Sequence, residues 1–177
     1  TGFFKELGVA GIVGGDAFAK SVITFDAREQ IMVINYPYRP AGLKITEGVQ
    51  MFPGKEDHSI VDVDFGGVAR RVLFDTGASD LLLLSSSDYE VLKDQVRNTK
   101  VAEAIGVNMV GISGVGQPVE IDKVVVDEMN FLDKKFVNVG SITINMGMSI
   151  VGVDILQYGK VVIDYMRNQS LPVDQPH

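Results

Sequence analysis

Apolar and polar residues alternate with period two along Ile60-Val61-Asp62-Val63-Asp64-Phe65, and Gly66-Gly67 follows at once. This is the pattern of a half-buried strand running into a tight hairpin turn. Val68 to Phe74 predicts the return strand, and Leu81 to Leu84 a buried strand leaving the loop between them. Nearer the start, Val22-Ile23-Thr24-Phe25 and Ile31-Met32-Val33-Ile34 predict a hairpin connected through residues 26–30. Further on, Val107 to Val110 and Pro118 to Val126 predict a long hairpin around the glycine-rich tip Gly111 to Gly116. Phe131, Phe136, Val137 and Val139 mark further strands, followed by Ile142-Thr143-Ile144 and Val161-Val162-Ile163. The tail beyond Asn168 is expected to fray.

Helical signals are sparse. Ser87 to Val96 predicts one helix, with Ser87 and Glu90 spaced as a capping box and Val91, Leu92 and Val96 on its buried side. Residues 101–105 predict a further turn or two, stopped by Gly106. Asp16 is expected to cap a short turn at Ala17-Phe18-Ala19. Pro37, Pro40 and Gly42 break regular structure, so residues 35–54 read as an irregular excursion. Many short strands with strong turn signals predict a mainly β fold: a closed barrel-like lobe with one or two short helices.

The chain also repeats itself. Ile12-Val13-Gly14-Gly15-Asp16 matches Ile150-Val151-Gly152-Val153-Asp154 at an offset of 138, and the match runs ungapped to Asp26 and Asp164. Internal similarity of this length points to a duplicated structural unit. The second copy has Asp75-Thr76-Gly77 upstream of it, and the first has no such loop before it in these residues. Residues 1–36 are therefore expected to be the C-terminal remnant of an upstream repeat lobe, 37–56 a linker and 57–170 the complete lobe.

Composition narrows the chemistry. In 177 residues, 46% hydrophobic content supports a packed core. A net charge of −7 without a basic stripe argues against a nucleic-acid partner. With no cysteine there is no thiol chemistry and no disulfide framework, which leaves the compartment open. No apolar run approaches the length of a membrane span, so no membrane partner is expected. Only His58 and His177 are present, which disfavours a histidine metal site or a serine triad. No metal and no cofactor is expected. His58 reads as a solvated loop residue, and Met146 and Met148 as core filling.

The candidate chemistry centres on Val72-Leu73-Phe74-Asp75-Thr76-Gly77-Ala78-Ser79-Asp80, a carboxylate in a small-residue loop between two apolar runs. Gly77 permits the turn, and Thr76 and Ser79 can hydrogen-bond locally. A carboxylate held there is costly unless its lone pairs are satisfied. A functional site and an ordinary turn both fit this pattern.

Phe74-Asp75-Thr76-Gly77-Ala78-Ser79 resembles the active-site loop of the aspartic peptidases, closest to the retropepsin-like branch with Ala after Asp-Thr-Gly. Two further elements follow in that family's order. Gly111-Ile112-Ser113-Gly114-Val115-Gly116 resembles the retropepsin flap tip. Ile150-Val151-Gly152-Val153-Asp154-Ile155-Leu156 resembles the apolar-apolar-Gly segment under the catalytic loop, with its short C-terminal helix. The resemblance implies a retropepsin-like barrel lobe and an aspartic endopeptidase acting on a polypeptide substrate. Asp75 would be the catalytic carboxylate. Thr76 would brace the loop across an interface, and Gly77 would expose a backbone amide. Ala78 and Ser79 would support the loop floor and meet substrate. Gly111, Ile112, Ser113, Gly114, Val115 and Gly116 would close over substrate. The tip has no Tyr, which favours the retropepsin-like over the pepsin-like version.

Hydrolysis by carboxylates needs two, one ionised and one protonated. The resemblance therefore implies a second lobe or a second subunit that supplies the other. Asp16 and Asp154 are better read as helix caps than as that partner. Gly111 to Gly116 lacks the Lys-Ser/Thr of a phosphate loop. Asp64-Phe65-Gly66 stands without the other kinase signatures. A function of another class stays open: a catalytically silent peptide-binding or assembly module of the same fold.

Overall fold

The computed structural model describes residues 8–44, 48–53, 58–99, 107–111, 114–119 and 121–173. The first hairpin, β1 (Val22–Asp26) and β2 (Ile31–Asn35), forms as the alternation predicts. A short strand β3 (Val49–Pro53) follows. Next come β4 (Ser59–Phe65) and β5 (Val68–Asp75), joined through Gly66 and Gly67. Both glycines have positive φ, 58° and 96°, which a two-residue turn of this hand requires. β6 (Leu82–Ser85) leaves the loop fully buried. Helix α1 (Ser86–Val91), β7 (Val96–Asn98), β8 (Val107–Gly111) and β9 (Gly114–Val119) complete the first half. The second half holds β10 (Asp122–Phe131), β11 (Lys134–Ile144), β12 (Ile150–Gly152), β13 (Lys160–Asp164) and β14 (Gln169–Val173).

Strands β4, β5, β12, β6, β11 and β10 pair in that order, and β10 returns to β4 through Asn130 and Asp64. The six strands thus close into a barrel, and the mainly β lobe expected from the sequence is the fold observed. The closure is reinforced by the Asn130 side-chain amide, which donates to Asp64 at 2.9 Å. Inward-facing positions fill the barrel with Val61, Val63, Phe65, Val72, Leu82, Leu84, Val124, Val126, Met129 and Val151. Each side chain of this kind contributes about 1.5–3 kcal/mol by leaving water.

Several local expectations are corrected. The helix runs only from Ser86 to Val91, because Ser85, not Ser87, is its N-cap and accepts from the Asp88 amide at 3.1 Å. Leu92 is buried as expected, but Val91 is exposed. A 3-10 turn, Lys93–Gln95, then leads into β7 instead of more helix. Residues expected to be irregular include β3, which pairs with both β14 and β4. The tail expected to fray is β14, with Ser170 and Leu171 buried against the sheet. The strand expected from Pro118 to Val126 is two strands, β9 and β10. The predicted turn at 101–105 and the tip residues Ile112 and Ser113 lie outside the described residues.

Candidate active site

Asp75 ends β5, and its neighbour in the sheet is β12, which runs parallel to it with Val151 opposite Phe74 and Gly152 opposite Asp75. On its other side β12 pairs with β6, placing Ile150 opposite Leu83 and Val151 opposite Leu82. The loop from Thr76 to Leu81 therefore arches over the end of β12. Two hydrogen bonds fasten it there. The Val153 amide donates to the Ala78 carbonyl at 2.8 Å, and the Gly152 amide to the Leu81 carbonyl at 3.2 Å. Gly152 admits no side chain. A Cβ there would stand 2.2 Å from the Asp80 carbonyl oxygen and 2.5 Å from that of Ala78.

Within the loop, the Gly77 amide donates to Asp75 Oδ1 at 2.8 Å, and the Ala78 amide to the Asp75 carbonyl at 3.1 Å. One carboxylate oxygen is thus held by backbone. Asp75 is half-buried, and Thr76 and Gly77 beside it are exposed. Ala78 is half-buried and packs with the cluster of Leu83, Ile121 and Ile144. Ser79 is exposed, and its hydroxyl faces Asp80 at 3.4 Å. β8 and β9 form a two-stranded hairpin of their own, with Gly111 opposite Gly114 and a register irregularity between Asn108 and Val110.

A second network steadies the far end of β12. Ser149 donates to Asp88 Oδ2 at 2.5 Å, and its carbonyl accepts from the Leu73 amide at 2.9 Å. Arg70 Nε donates to Asp88 Oδ1 at 2.6 Å. Burial pushes the Asp88 carboxyl up, but the bonds from Ser149, Arg70 and Ser85 together hold it below the ordinary aspartate range. The loop carrying Asp75 is therefore braced at both ends of the strand beneath it.

Asp75 and Thr76 line an open cleft of about 380 Å³. The first repeat copy supplies another part of its wall: Ile12, Val13, Gly14, Gly15 and Asp16. The expected capping roles are corrected here. The 3-10 turns Gly15–Phe18 and Val153–Tyr158 start after Gly14 and Gly152, with no side-chain cap bond. Asp16 and Asp154 sit inside the first turns, and Asp154 accepts from Gln157 at 2.8 Å. A peptide amide N-terminus can favour a carboxylate at that place without a cap bond.

Sequence reasoning missed Phe25, Ser59 and Tyr165, which also line the cleft. Phe25 stacks edge-on against Phe74 at 6.4 Å, and the Ser59 and Tyr165 hydroxyls are 3.3 Å apart. Strand pairing would have flagged Ser59, because it lies opposite Phe74 in the β4–β5 register. His58, read as a loop residue, is exposed and lies along the same cleft.

The solved structures similar to this chain include a retropepsin-like aspartic protease from Rickettsia conorii, 13% identical, with a TM-score of 0.43 over 73% of this chain and 90% of that one. They also include EIAV protease complexed with the inhibitor HBY-793, 23% identical, with a TM-score of 0.43 over 58% of this chain and 88% of that one. No family model matches the chain, and no curated protein does.

Proposed function

We propose that this chain is one part of an aspartic endopeptidase, with Asp75 as one of two carboxylates that activate a water between them. The observation that carries this reading is the Asp75 loop. It is fastened from below by Gly152 and Val153, its carboxylate is held through one oxygen, and it opens on a cleft large enough for an extended peptide segment. Packing alone does not require an aspartate there.

In this reading the second carboxylate comes from a second lobe or subunit. Two carboxylates brought together share a proton, so one can draw a proton from water while the other donates to the substrate carbonyl. They titrate as a pair. Thr76, exposed next to Asp75, braces the opposing loop, and the Gly77 amide keeps one Asp75 oxygen oriented. Ala78 and Ser79 meet the substrate backbone beside the loop. Gly111, Ile112, Ser113, Gly114, Val115 and Gly116 cover bound peptide and exclude water, as mobile lids do. Residues 1–36 belong to the end of a second lobe, 37–56 link it on, and 57–170 form the lobe that carries Asp75.

The test is the conservative change Asp75→Asn. With the second lobe or subunit present, hydrolysis of an unfolded protein such as denatured casein, at mildly acidic pH, is expected to fall by at least about a thousandfold, the scale for a residue that acts directly in the chemical step. Circular dichroism should be unchanged. Undiminished cleavage by a folded Asp75→Asn protein would sink the reading, whereas no cleavage by the unsubstituted protein with its second lobe or subunit present would favour the silent peptide-binding module.

A further inference from the structure

β12 is three residues long, and its register decides whether the Asp75 loop can seat. Gly152 lies where a Cβ would stand 2.2 Å from the Asp80 carbonyl oxygen and 2.5 Å from that of Ala78. Val151, next to it, is fully buried. A slip of one residue along β5 would turn Val151 out of the core and bring a side chain under the loop, where none fits. Ile150, Val151 and Gly152 pair with β5, and only Ile150 and Val151 with β6. So short a strand has few bonds of its own with which to keep that register.

The residue just before β12 supplies what the strand lacks. Ser149 is fully buried. Its carbonyl accepts from the Leu73 amide of β5, and its hydroxyl oxygen accepts from the Ser85 amide of β6, both at 2.9 Å. With an amide already directed at its oxygen, the hydroxyl turns its proton to Asp88 Oδ2. The other carboxylate oxygen takes the Nε proton of Arg70, from β5. The Asp88 amide donates to Ser85 Oγ, so the helix that carries the carboxylate is itself seated on the end of β6. Arg70 and Ser149 both donate to Asp88, and an ionised carboxylate, which only accepts, meets both at once. Burial pushes the Asp88 carboxyl up, but these bonds outweigh it and hold the group below the ordinary aspartate range, so it keeps its acceptor form at mildly acidic pH.

We infer that Asp88 is a positioning residue for Asp75: through Ser149 it pins β12 in register between β5 and β6, and so sets the height at which Gly152 and Val153 seat the Asp75 loop. The consequence for catalysis rests on the peptidase reading above; the pin itself does not. Asp88 acts at a distance, since Ser149 lies three residues from Gly152, about 10 Å along an extended strand. A buried carboxylate in an ion pair is a poor source of net stability, because apolar packing of the same volume does as well or better. What an apolar residue at this position could not do is join Arg70 of the strand that delivers Asp75 to Ser149 of the strand that fastens its loop.

The test is amide hydrogen exchange in residues 1–177 carrying Asp88→Asn or Ser149→Ala. The Gly152 and Val153 amides, which fasten the loop, should exchange at least about tenfold faster in both variants, while the amides of β4 and β10 keep their rates. Ser149→Ala leaves the Asp88–Arg70 pair in place, so it decides the matter if Asp88→Asn does not fold. With the second lobe or subunit present, kcat on denatured casein should fall at least about tenfold in the folded variants at unchanged KM. Unchanged exchange at Gly152 and Val153, an equal acceleration across the whole barrel, or a raised KM at unchanged kcat would each overturn the proposal. Faster exchange confined to the two loop-fastening amides, in a protein whose unsubstituted form cleaves nothing with its second lobe present, would uphold the pin and defeat the peptidase reading.

Discussion

The segments Gly14 to Asn35 and Gly152 to Val173 share one backbone course and differ in what surrounds them. Each begins at a glycine, makes a 3-10 turn and then forms a hairpin with a left-handed residue before its second strand. In the second copy the strands are buried by the barrel and by β3. In the first, β2 is exposed from Ile31 to Ile34. The comparison teaches that the apolar residues of such a hairpin are not explained by its own pairing. Val33 and Leu171 are counterparts, yet one is 40% exposed and the other 1%. Four adjacent large apolar residues on an edge that no strand covers among the described residues are a liability in water. Under the proposed function they would face the second lobe.

Substitution at the two glycines gives the largest difference between the copies. Gly152→Ala forces a Cβ to within 2.2 Å of a carbonyl oxygen, and the loop must move. Urea unfolding of residues 1–177 should show a loss of about 3 kcal/mol. Gly14→Ala should stay within about 0.5 kcal/mol. Similar costs at the two sites would break the comparison. A large cost for Gly14→Ala only when a second barrel is present would sharpen it.

A smaller difference is expected on the hairpins themselves. Leu171→Ala removes a buried side chain and should cost about 2 kcal/mol in the same experiment. Val33→Ala, at the matching exposed position, should cost under about 0.5 kcal/mol. Comparable losses would mean that β2 is already covered in residues 1–177.

Much of this was legible because it is local. The alternation of Ile60 to Phe65, the paired glycines after it and the apolar runs flanking Asp75 specify β4, β5 and β6 by themselves. β3 and β14 were not legible. Val49-Gln50-Met51-Phe52-Pro53 is short, and it lies between Gly48 and Gly54 and ends in proline. Its strand character comes from pairing with β14, about 120 residues away in sequence. The helix was overextended because the cap that starts it, Ser85, is also the last residue of a buried strand. Barrel closure rests on Asn130 meeting Asp64, a contact no periodicity announces. At the candidate site, the motif pointed to Asp75 and to the segment that fastens its loop. It gave no sign that the first copy's Ile12 to Asp16 would line the same cleft.

The central claim is that Asp75 needs a carboxylate this chain receives from a partner barrel. Its most direct measurement is specific peptidase activity of residues 1–177 across a concentration series, with sedimentation fixing the oligomeric state at each point. The account expects no cleavage by the monomer at any concentration, and cleavage once the second barrel is joined on. A strictly monomeric species that cleaves at the full rate of the two-barrel protein would contradict it.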